Sequence, residues 1–175
     1  SASRMHSHAK SHQMRSVVVI GAGQAGLSVT HALHQQGLRP LVLEKNRIAY
    51  SWDQQRWDSF CLVTPNWQCQ LPGFPYDGND PEGFMAKSDI VAYLQRFARH
   101  VDGDVREGVE VQRVALHGNG YLLSTTEGDI AAEQVVVATG GYHQPRRHPL
   151  SGRIPASVMQ LDARDYRCPD DLPEG

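Results

Sequence analysis

The residues whose spacing points most directly to chemistry are the glycines of Gly21-Ala22-Gly23-Gln24-Ala25-Gly26, a G-x-G-x-x-G motif. The first glycine permits a tight turn, the second lets a phosphate approach the backbone, and the third lets a helix pack closely on a strand. The amides and the positive dipole end of a following helix attract the same phosphate. The motif therefore predicts a site for the pyrophosphate of a dinucleotide.

An acidic residue follows the motif at the distance that dinucleotide binding uses. Glu44 ends the apolar run Leu41-Val42-Leu43, about 20 residues beyond the glycines. A carboxylate at such a strand end accepts hydrogen bonds from a ribose diol and repels the 2′-phosphate of NADP. We therefore expect Glu44 to bind ribose, although an ordinary strand–turn–helix with a solvated glutamate would contain the same residues.

The flanking sequence predicts the elements that hold this motif. Val17-Val18-Val19-Ile20 is a short β-branched run, which favours a buried parallel strand. Apolar residues at helical spacing follow Gly26, and Gly37 is a suitable helix stop. With a second strand at 41–44, the pattern predicts an α/β fold with a parallel sheet.

The middle of the chain predicts one long irregular segment and one helix. The segment from Lys45 to Lys87 contains all three tryptophans, and its length and aromatic content indicate packing against a ligand or a partner. Ser88-Asp89 is expected to cap a helix that ends at Asp102-Gly103. The apolar stripe of this helix predicts core residues: Ile90, Tyr93, Leu94, Phe97 and Val101.

The C-terminal half predicts β structure. Strands near Val109–Val114 and Tyr121–Thr126 are separated by Gly118-Asn119-Gly120, a turn signal, and form a small antiparallel meander. A further strand, Val135–Ala138, is expected to be buried on both faces and leads into Thr139-Gly140. The segment from Tyr142 to Gly175 shows no strong periodicity.

Composition excludes several classes of function. The 175 residues carry a net charge of −2, which does not indicate a nucleic-acid or membrane partner, and no apolar stretch is long enough to span a bilayer. No secretory signal is evident, so a cytoplasmic location is expected. The three cysteines lack a C-x-x-C pair, which indicates reduced thiols and no zinc site; Cys61 and Cys69 are expected to be buried, with pairing between them left open.

The first sixteen residues, Ser1 to Ser16, are rich in serine and histidine. We expect a disordered leader or a remnant of cloning, followed by a folded portion over 17–175. His6, His8 and His12 could bind a metal loosely, but an unstructured tail is favoured and no metal site is expected.

Further motifs support a family resemblance. In chain order they are Glu44-Lys45, Arg56-Trp57-Asp58-Ser59-Phe60, Thr64-Pro65-Asn66-Trp67 and Ala138-Thr139-Gly140. Together with the glycine motif, they make the region from about Arg15 to Arg167 resemble the N-terminal FAD-binding part of flavin-dependent monooxygenases, especially their bacterial CzcO-like branch. The resemblance implies a Rossmann-like FAD-binding domain with a parallel sheet and a small antiparallel meander.

The resemblance also implies roles for individual residues. The backbone of Val111 would contact adenine, and the strand end at 138–140 would pass near the FAD. Asn66 would lie beside the flavin as a catalytic residue, although an Asx turn after Pro65 explains an asparagine there equally well. The implied cofactor-binding set is Gly21, Gly23, Gln24, Ala25, Gly26, Glu44, Lys45, Trp52, Arg56, Val111, Ala138, Thr139 and Gly140.

Two departures from the family pattern bear on function. Asp162 stands where the monooxygenase signature has a histidine, and the chain has no second G-x-G-x-x-G for NAD(P)H. The chain is therefore expected to be incomplete, with NAD(P)H bound by a region that it does not contain. Its partners would be a small-molecule substrate and either the remainder of the flavoprotein or a second copy.

The implied function is that of an FAD-dependent, NAD(P)H-using oxidoreductase, a monooxygenase in its complete form. Two alternatives stay open. One is a flavin-dependent dehydrogenase or reductase that does not activate oxygen. The other is a non-catalytic, truncated nucleotide-binding module.

Overall fold

The fold was described from a computed structural model, which covers residues 14–142 and 144–174. Its strands are β1 (Arg15–Ile20), β2 (Leu41–Glu44), β3 (Gln70–Leu71), β4 (Phe74–Pro75), β5 (Asp104–Glu107), β6 (Val111–His117), β7 (Gly120–Thr125) and β8 (Gly128–Val137). Its helices are α1 (Gln24–Gln35), α2 (Tyr50–Gln54) and α3 (Lys87–Val101). Six strands form one sheet in the order β5–β2–β1–β8–β7–β6, and β3 and β4 form a separate hairpin.

The centre of the sheet is parallel, as the sequence predicts. β1 pairs in parallel with β2 and β8, so that Val18 lies between Leu41 and Val135. β5 adds in parallel to the far side of β2, whereas β6, β7 and β8 form an antiparallel meander. The expected α/β architecture with a parallel sheet and a small meander is confirmed.

Hydrophobic residues cover both faces of β1. Val17 and Val19 pack with Leu27 of α1 and Phe97 of α3. Val18, which points to the opposite face because side chains alternate along a strand, packs with Val109 and Leu123. The predicted burial of β1 on both faces is therefore confirmed.

Helix α1 ends where the sequence predicts. Gly37 adopts the left-handed region with φ of 76°. Its amide donates to the His34 carbonyl at 2.9 Å, and the Leu38 amide donates to the Leu33 carbonyl at 2.9 Å. This pair of hydrogen bonds is a Schellman motif, which satisfies carbonyls that the last turn leaves free.

Strand β8 differs from its prediction. The last strand of the meander and the parallel strand are one continuous strand, since Gly128–Ala132 pair with β7 and Ala132–Val137 pair with β1. Beyond Ala132, the described residues provide no second neighbour for β8, and Val137 is 68% exposed. The expectation that this strand is buried on both faces is therefore wrong at its C-terminal end.

Strand β1 begins at Arg15, which pairs with Ala132, so this strand starts two residues before the predicted run at Val17. Residues 1–13, and with them His6, His8 and His12, lie outside the described residues.

Helix α3 starts earlier than predicted, at Lys87. Its N-cap is Ala86 rather than Ser88. Asp89 Oδ2 accepts a hydrogen bond from the Ala86 amide at 3.2 Å, so the acid of the first turn does the capping. Preceding α3, the segment predicted to be irregular contains α2 and the β3–β4 hairpin.

Across the described ranges, no helix combines the length and the apolar composition needed to cross a membrane.

Candidate dinucleotide site

The glycine turn lies at the carboxyl end of β1. Gly21 has a φ of 103°, and its amide donates to the Leu43 carbonyl of β2 at 2.8 Å. A Cβ at Gly21 would lie 2.5 Å from the Ala138 carbonyl oxygen. Both its backbone conformation and its close approach to the end of β8 therefore require glycine, as the motif predicts.

Gly23 and Gly26, the other two glycines of the motif, have different roles. A Cβ at Gly26 would overlap the carbonyl oxygen of Gly21, so glycine lets α1 start directly against the turn. Gly23 has an ordinary φ of −78°, and no atom lies within 4 Å of the place where its Cβ would be. Gly26 thus serves the fold, whereas the space beside Gly23 is open to a group from outside the chain.

The start of α1 is suited to an anion. It has no side-chain cap, and its first turn contains no acidic residue. Gly23, Gln24 and Ala25 are exposed, and the first intrahelical bond runs from the Leu27 amide to the Gly23 carbonyl. The earlier amides of the turn lack an intrahelical acceptor, which is the arrangement that binds phosphate at helix N-termini.

Glu44 ties the end of β2 to this turn. Its Oε2 accepts a hydrogen bond from the Ala22 amide at 2.8 Å, and its Oε1 accepts one from the Asn46 amide at 3.0 Å. Each carboxylate oxygen keeps a second lone pair. Glu44 is only partly buried, so the carboxylate can still accept a hydroxyl from a ligand.

Lys45 and Val111, which the resemblance implies, are connected to the end of β2 through Val109 and Glu110. The Val109 amide donates to the Glu44 carbonyl at 3.0 Å. Lys45 Nζ lies 3.1 Å from Glu110 Oε1, in the residue that precedes Val111 at the start of β6. The start of the meander is therefore held against the end of β2.

The C-terminal end of β8 lies at the same edge of the sheet as the glycine turn. The Ala138 amide donates to the Ile20 carbonyl at 2.8 Å, which continues the β1–β8 pairing. Thr139 and Gly140 are exposed, and Gly140 has a φ of 77°. Small residues at this edge leave a cofactor room to cross the sheet.

Trp52 and Arg56 lie in the aromatic segment. The guanidinium carbon of Arg56 is 4.9 Å from the centroid of the Trp52 ring and 5.7 Å from that of Phe60. Trp52 also packs on the cluster that includes Tyr93 of α3. The predicted pair is therefore a stacked cation–π unit that rests on α3.

Asn66 is held by contacts distant in sequence. It is 4% exposed, its Nδ2 donates to the Asp80 carbonyl at 2.8 Å, and its amide donates to the Gly83 carbonyl at 2.9 Å. Its Oδ1 is buried and has no hydrogen-bond partner within the described chain. An Asx turn requires that oxygen to accept a local amide, so this explanation is wrong.

Sequence inspection missed the role of the Tyr93 hydroxyl. Tyr93 is a core residue, as predicted, but its hydroxyl accepts from the Leu71 amide at 3.2 Å and approaches the Cys69 carbonyl at 3.3 Å and the Phe74 carbonyl. Burial raises the pKa of this hydroxyl. The only available signal was a tyrosine within an otherwise apolar stripe.

The cysteines form no disulfide, and all three are free. Cys61 is exposed, so its predicted burial is wrong. Cys69 is partly buried, and burial raises the pKa of its thiol. In the described part of the chain, no group of three or more potential ligands could hold a metal ion.

The C-terminal segment returns to α2. The Arg167 carbonyl accepts from the Asp58 amide at 2.9 Å, and the Arg167 guanidinium donates to the Gln54 carbonyl. Asp162, which the resemblance aligns with a family histidine, lies 3.5 Å from the Arg147 guanidinium. This segment therefore braces the aromatic segment that carries Arg56.

Sequence comparison found oxidoreductases as relatives. The chain is 36% identical over 160 residues to an uncharacterized CzcO-like oxidoreductase of Geobacillus kaustophilus, covering 91% of this chain and 45% of that protein. It is 32% identical over 155 residues to the uncharacterized oxidoreductase CzcO of Bacillus subtilis, covering 88% and 44%. The chain thus spans about half the length of these curated relatives.

Structure comparison found a matching fold. A variant of a flavin monooxygenase from Stenotrophomonas maltophilia superposes with a TM-score of 0.75 and 28% identity, over 90% of this chain and 47% of that one. The family profile described as pyridine nucleotide-disulphide oxidoreductase matches residues 18–168. Because this match encloses both the glycine turn and the end of β8, the chain belongs to the pyridine nucleotide-disulphide oxidoreductase family.

Proposed function

We propose that this chain is the FAD-binding part of an FAD-dependent, NAD(P)H-using monooxygenase. The observation that carries the proposal is the glycine turn, where Gly23 faces open space beside the uncapped start of α1 and Glu44 stands at the adjacent strand end. This arrangement suits a pyrophosphate joined to a ribose. The likeness to a flavin monooxygenase supports a flavin dinucleotide.

The residues of the turn and the sheet edge would hold the cofactor. The exposed backbone at Gly23, Gln24 and Ala25 would bind the pyrophosphate, while Gly21 and Gly26 shape the turn. The Glu44 carboxylate would accept from a ribose hydroxyl, and the Val111 backbone would contact adenine. The remaining members of the binding set are Lys45, Trp52, Arg56, Ala138, Thr139 and Gly140. The chemistry that FAD supplies when bound is hydride acceptance from NAD(P)H and activation of dioxygen for transfer of one oxygen atom to a small organic substrate.

Asn66 is the proposed catalytic residue of this chain. Because Asp80 holds its Nδ2, its buried Oδ1 is fixed and free to accept a hydrogen bond from a bound group. A buried acceptor without a donor costs about 1–3 kcal/mol, which a ligand donor would recover. The stacked Trp52 and Arg56 would help to exclude water from the bound cofactor.

We propose that further chain binds NAD(P)H, since the curated relatives are about twice as long. The unpaired edge of β8 beyond Ala132, with Val137 68% exposed, offers backbone groups to a strand of that further chain or of a second copy. We also propose a cytoplasmic location, which fits three free thiols and the use of reduced nicotinamide.

One observation favours a second candidate, a flavin-dependent reductase that does not activate dioxygen. Asp162 replaces the histidine of the monooxygenase signature and is paired with Arg147. An aspartate side chain offers oxygen acceptors at this position, whereas a histidine offers a ring N–H donor as well as an acceptor. The description of the family as disulphide oxidoreductases agrees with this candidate.

The experiment is to purify the complete protein that contains this chain, reconstitute it with FAD and reduce it with NADPH or NADH without oxygen. A monooxygenase is expected to be reoxidised rapidly on addition of dioxygen. A reductase would remain reduced in dioxygen and be reoxidised by an artificial electron acceptor. Failure to retain FAD after reconstitution would overturn both candidates.

A further inference from the structure

The β3–β4 hairpin directly follows the segment that carries Asn66. The hairpin has only two residue pairs, Gln70 with Pro75 and Leu71 with Phe74. A two-stranded hairpin of this size is not stable by itself in water. Contacts from elsewhere in the molecule must therefore hold it in place.

The hydroxyl of Tyr93 is the polar contact that holds the hairpin. It accepts from the Leu71 amide in β3 and approaches the Phe74 carbonyl in β4, so one atom bridges both strands. It also lies 3.3 Å from the carbonyl of Cys69, the residue that precedes β3. The Tyr93 and Phe74 rings pack with centroids 5.5 Å apart, which fixes the side of the hairpin that faces α3.

Two hydrogen-bonded routes lead from this anchor to Asn66. In the first, the Cys69 amide donates to the Asn66 carbonyl at 2.9 Å. In the second, the Tyr76 amide donates to the Cys69 carbonyl at 3.1 Å, and the Tyr76 hydroxyl accepts from the Asp80 amide at 3.3 Å. The Asp80 carbonyl then accepts from Asn66 Nδ2 at 2.8 Å.

From this geometry we propose that Tyr93 is a positioning residue for Asn66. Its hydroxyl fixes Cys69 and the hairpin, and these fix both the backbone and the side-chain amide of Asn66, so that the unpartnered Oδ1 is aimed in one direction. Tyr93 would not touch the cofactor or the substrate. The inference rests on the proposed function, because it assigns the aimed Oδ1 to the flavin site.

The test compares Tyr93→Phe with Tyr121→Phe, which removes a hydroxyl from β7, on a core cluster different from that of Tyr93. Amide hydrogen exchange is measured first, without cofactor. In Tyr93→Phe we expect the amides of Asn66, Cys69 and Leu71 to exchange at least tenfold faster, while the amides of β1 and β2 exchange at the wild-type rate. Tyr121→Phe should leave Asn66 and Cys69 unchanged. If the amides of Asn66 and Cys69 exchange in Tyr93→Phe at the same rate as in the wild-type protein, the proposal is overturned.

The second measurement is the visible absorption and circular dichroism of bound FAD in the complete protein. Tyr93→Phe should shift the flavin spectrum in the same direction as Asn66→Ala, and the double variant should show no larger shift than Asn66→Ala. Independent, additive shifts, or a lowered melting temperature without a spectral shift, would overturn the positioning role. If the wild-type protein binds no FAD, the proposed function fails, whereas the exchange measurement still decides whether Tyr93 positions Asn66.

Discussion

The Glu44 carboxylate, at the end of β2, accepts a hydrogen bond from the Ala22 amide inside the glycine turn, with Oε2 and N 2.8 Å apart. Glu44, which is expected to bind the ribose, therefore also stabilises the glycine turn that is expected to bind the pyrophosphate. Asn46 donates to the other oxygen, so the carboxylate is oriented before any ligand arrives. Preorganisation of this kind lowers the entropy cost of binding.

Removing the Glu44 carboxylate should weaken both the turn and the cofactor site. Hydrogen bonds to charged groups contribute about 1.5–3 kcal/mol, so we expect Glu44→Ala to lower the free energy of unfolding by roughly that amount and to weaken FAD binding. Urea unfolding and FAD titration measure the two effects. Glu44→Gln is the matched control, since it keeps one acceptor oxygen and should lose less of each. Unchanged FAD affinity in Glu44→Ala would show that the carboxylate serves only the fold.

The glycines allow the ligand effect to be separated from the folding effect. Gly23→Ala adds a methyl group where no protein atom lies within 4 Å and where φ is ordinary, so thermal stability should stay at the wild-type level. FAD affinity should fall at least tenfold, about 1.4 kcal/mol, because the methyl group occupies the space of the pyrophosphate.

The control for that variant is Gly26→Ala. Its added Cβ would overlap the Gly21 carbonyl oxygen, so it should lower the melting temperature as well as the FAD affinity. If Gly23→Ala retained full FAD affinity, the pyrophosphate would have to bind elsewhere.

Alkaline pH should destabilise the protein through Cys69 and Tyr93. Burial raises both pKa values above their usual values near 9 and 10. The folded protein therefore holds these protons more tightly than the unfolded chain, and stability falls as pH rises past those values. Urea unfolding at increasing pH above 8 measures the slope, which Tyr93→Phe should reduce. A slope in Tyr93→Phe equal to that of the wild-type protein would contradict this assignment.

The core cluster under α3 depends on Phe97. This side chain is fully buried and packs on Val17, Val19 and Leu27. Phe97→Ala should lower the free energy of unfolding by about 3–5 kcal/mol, as measured by denaturant unfolding. Phe84→Ala provides the control, because Phe84 is 53% exposed and its removal should cost much less. Similar losses for both variants would mean that the cluster is not the main core.

Local signals explain why much of the fold was predictable. β1, α1 and β2 follow directly from a β-branched run, a helical spacing and Gly37, each of which acts within a few residues. The start of α3 was misplaced because Ser88 is a good cap in isolation, whereas Asp89 reaches back to the Ala86 amide.

The candidate site was also predictable only where short-range sequence patterns determine the geometry. The roles of Gly21 and Gly26 follow from backbone geometry that the motif itself encodes. The environment of Asn66 does not, because its side chain is held by Asp80, 14 residues later, and Tyr93, 27 residues later, reaches it only through the neighbouring Cys69 and the hairpin. The exposure of Val137 likewise depends on which strand pairs beyond Ala132, and pairing is a property of the whole sheet.

The pairing of β1 with β8 has a consequence for how the protein is made. Ile20 pairs with Val137, so during synthesis more than a hundred residues must follow the apolar strand β1 before one of its edges is paired. Contacts this distant in sequence slow folding, and an unpaired apolar edge invites association with other chains. The backbone groups on that edge of β1 therefore stay unpaired until β8 has left the ribosome.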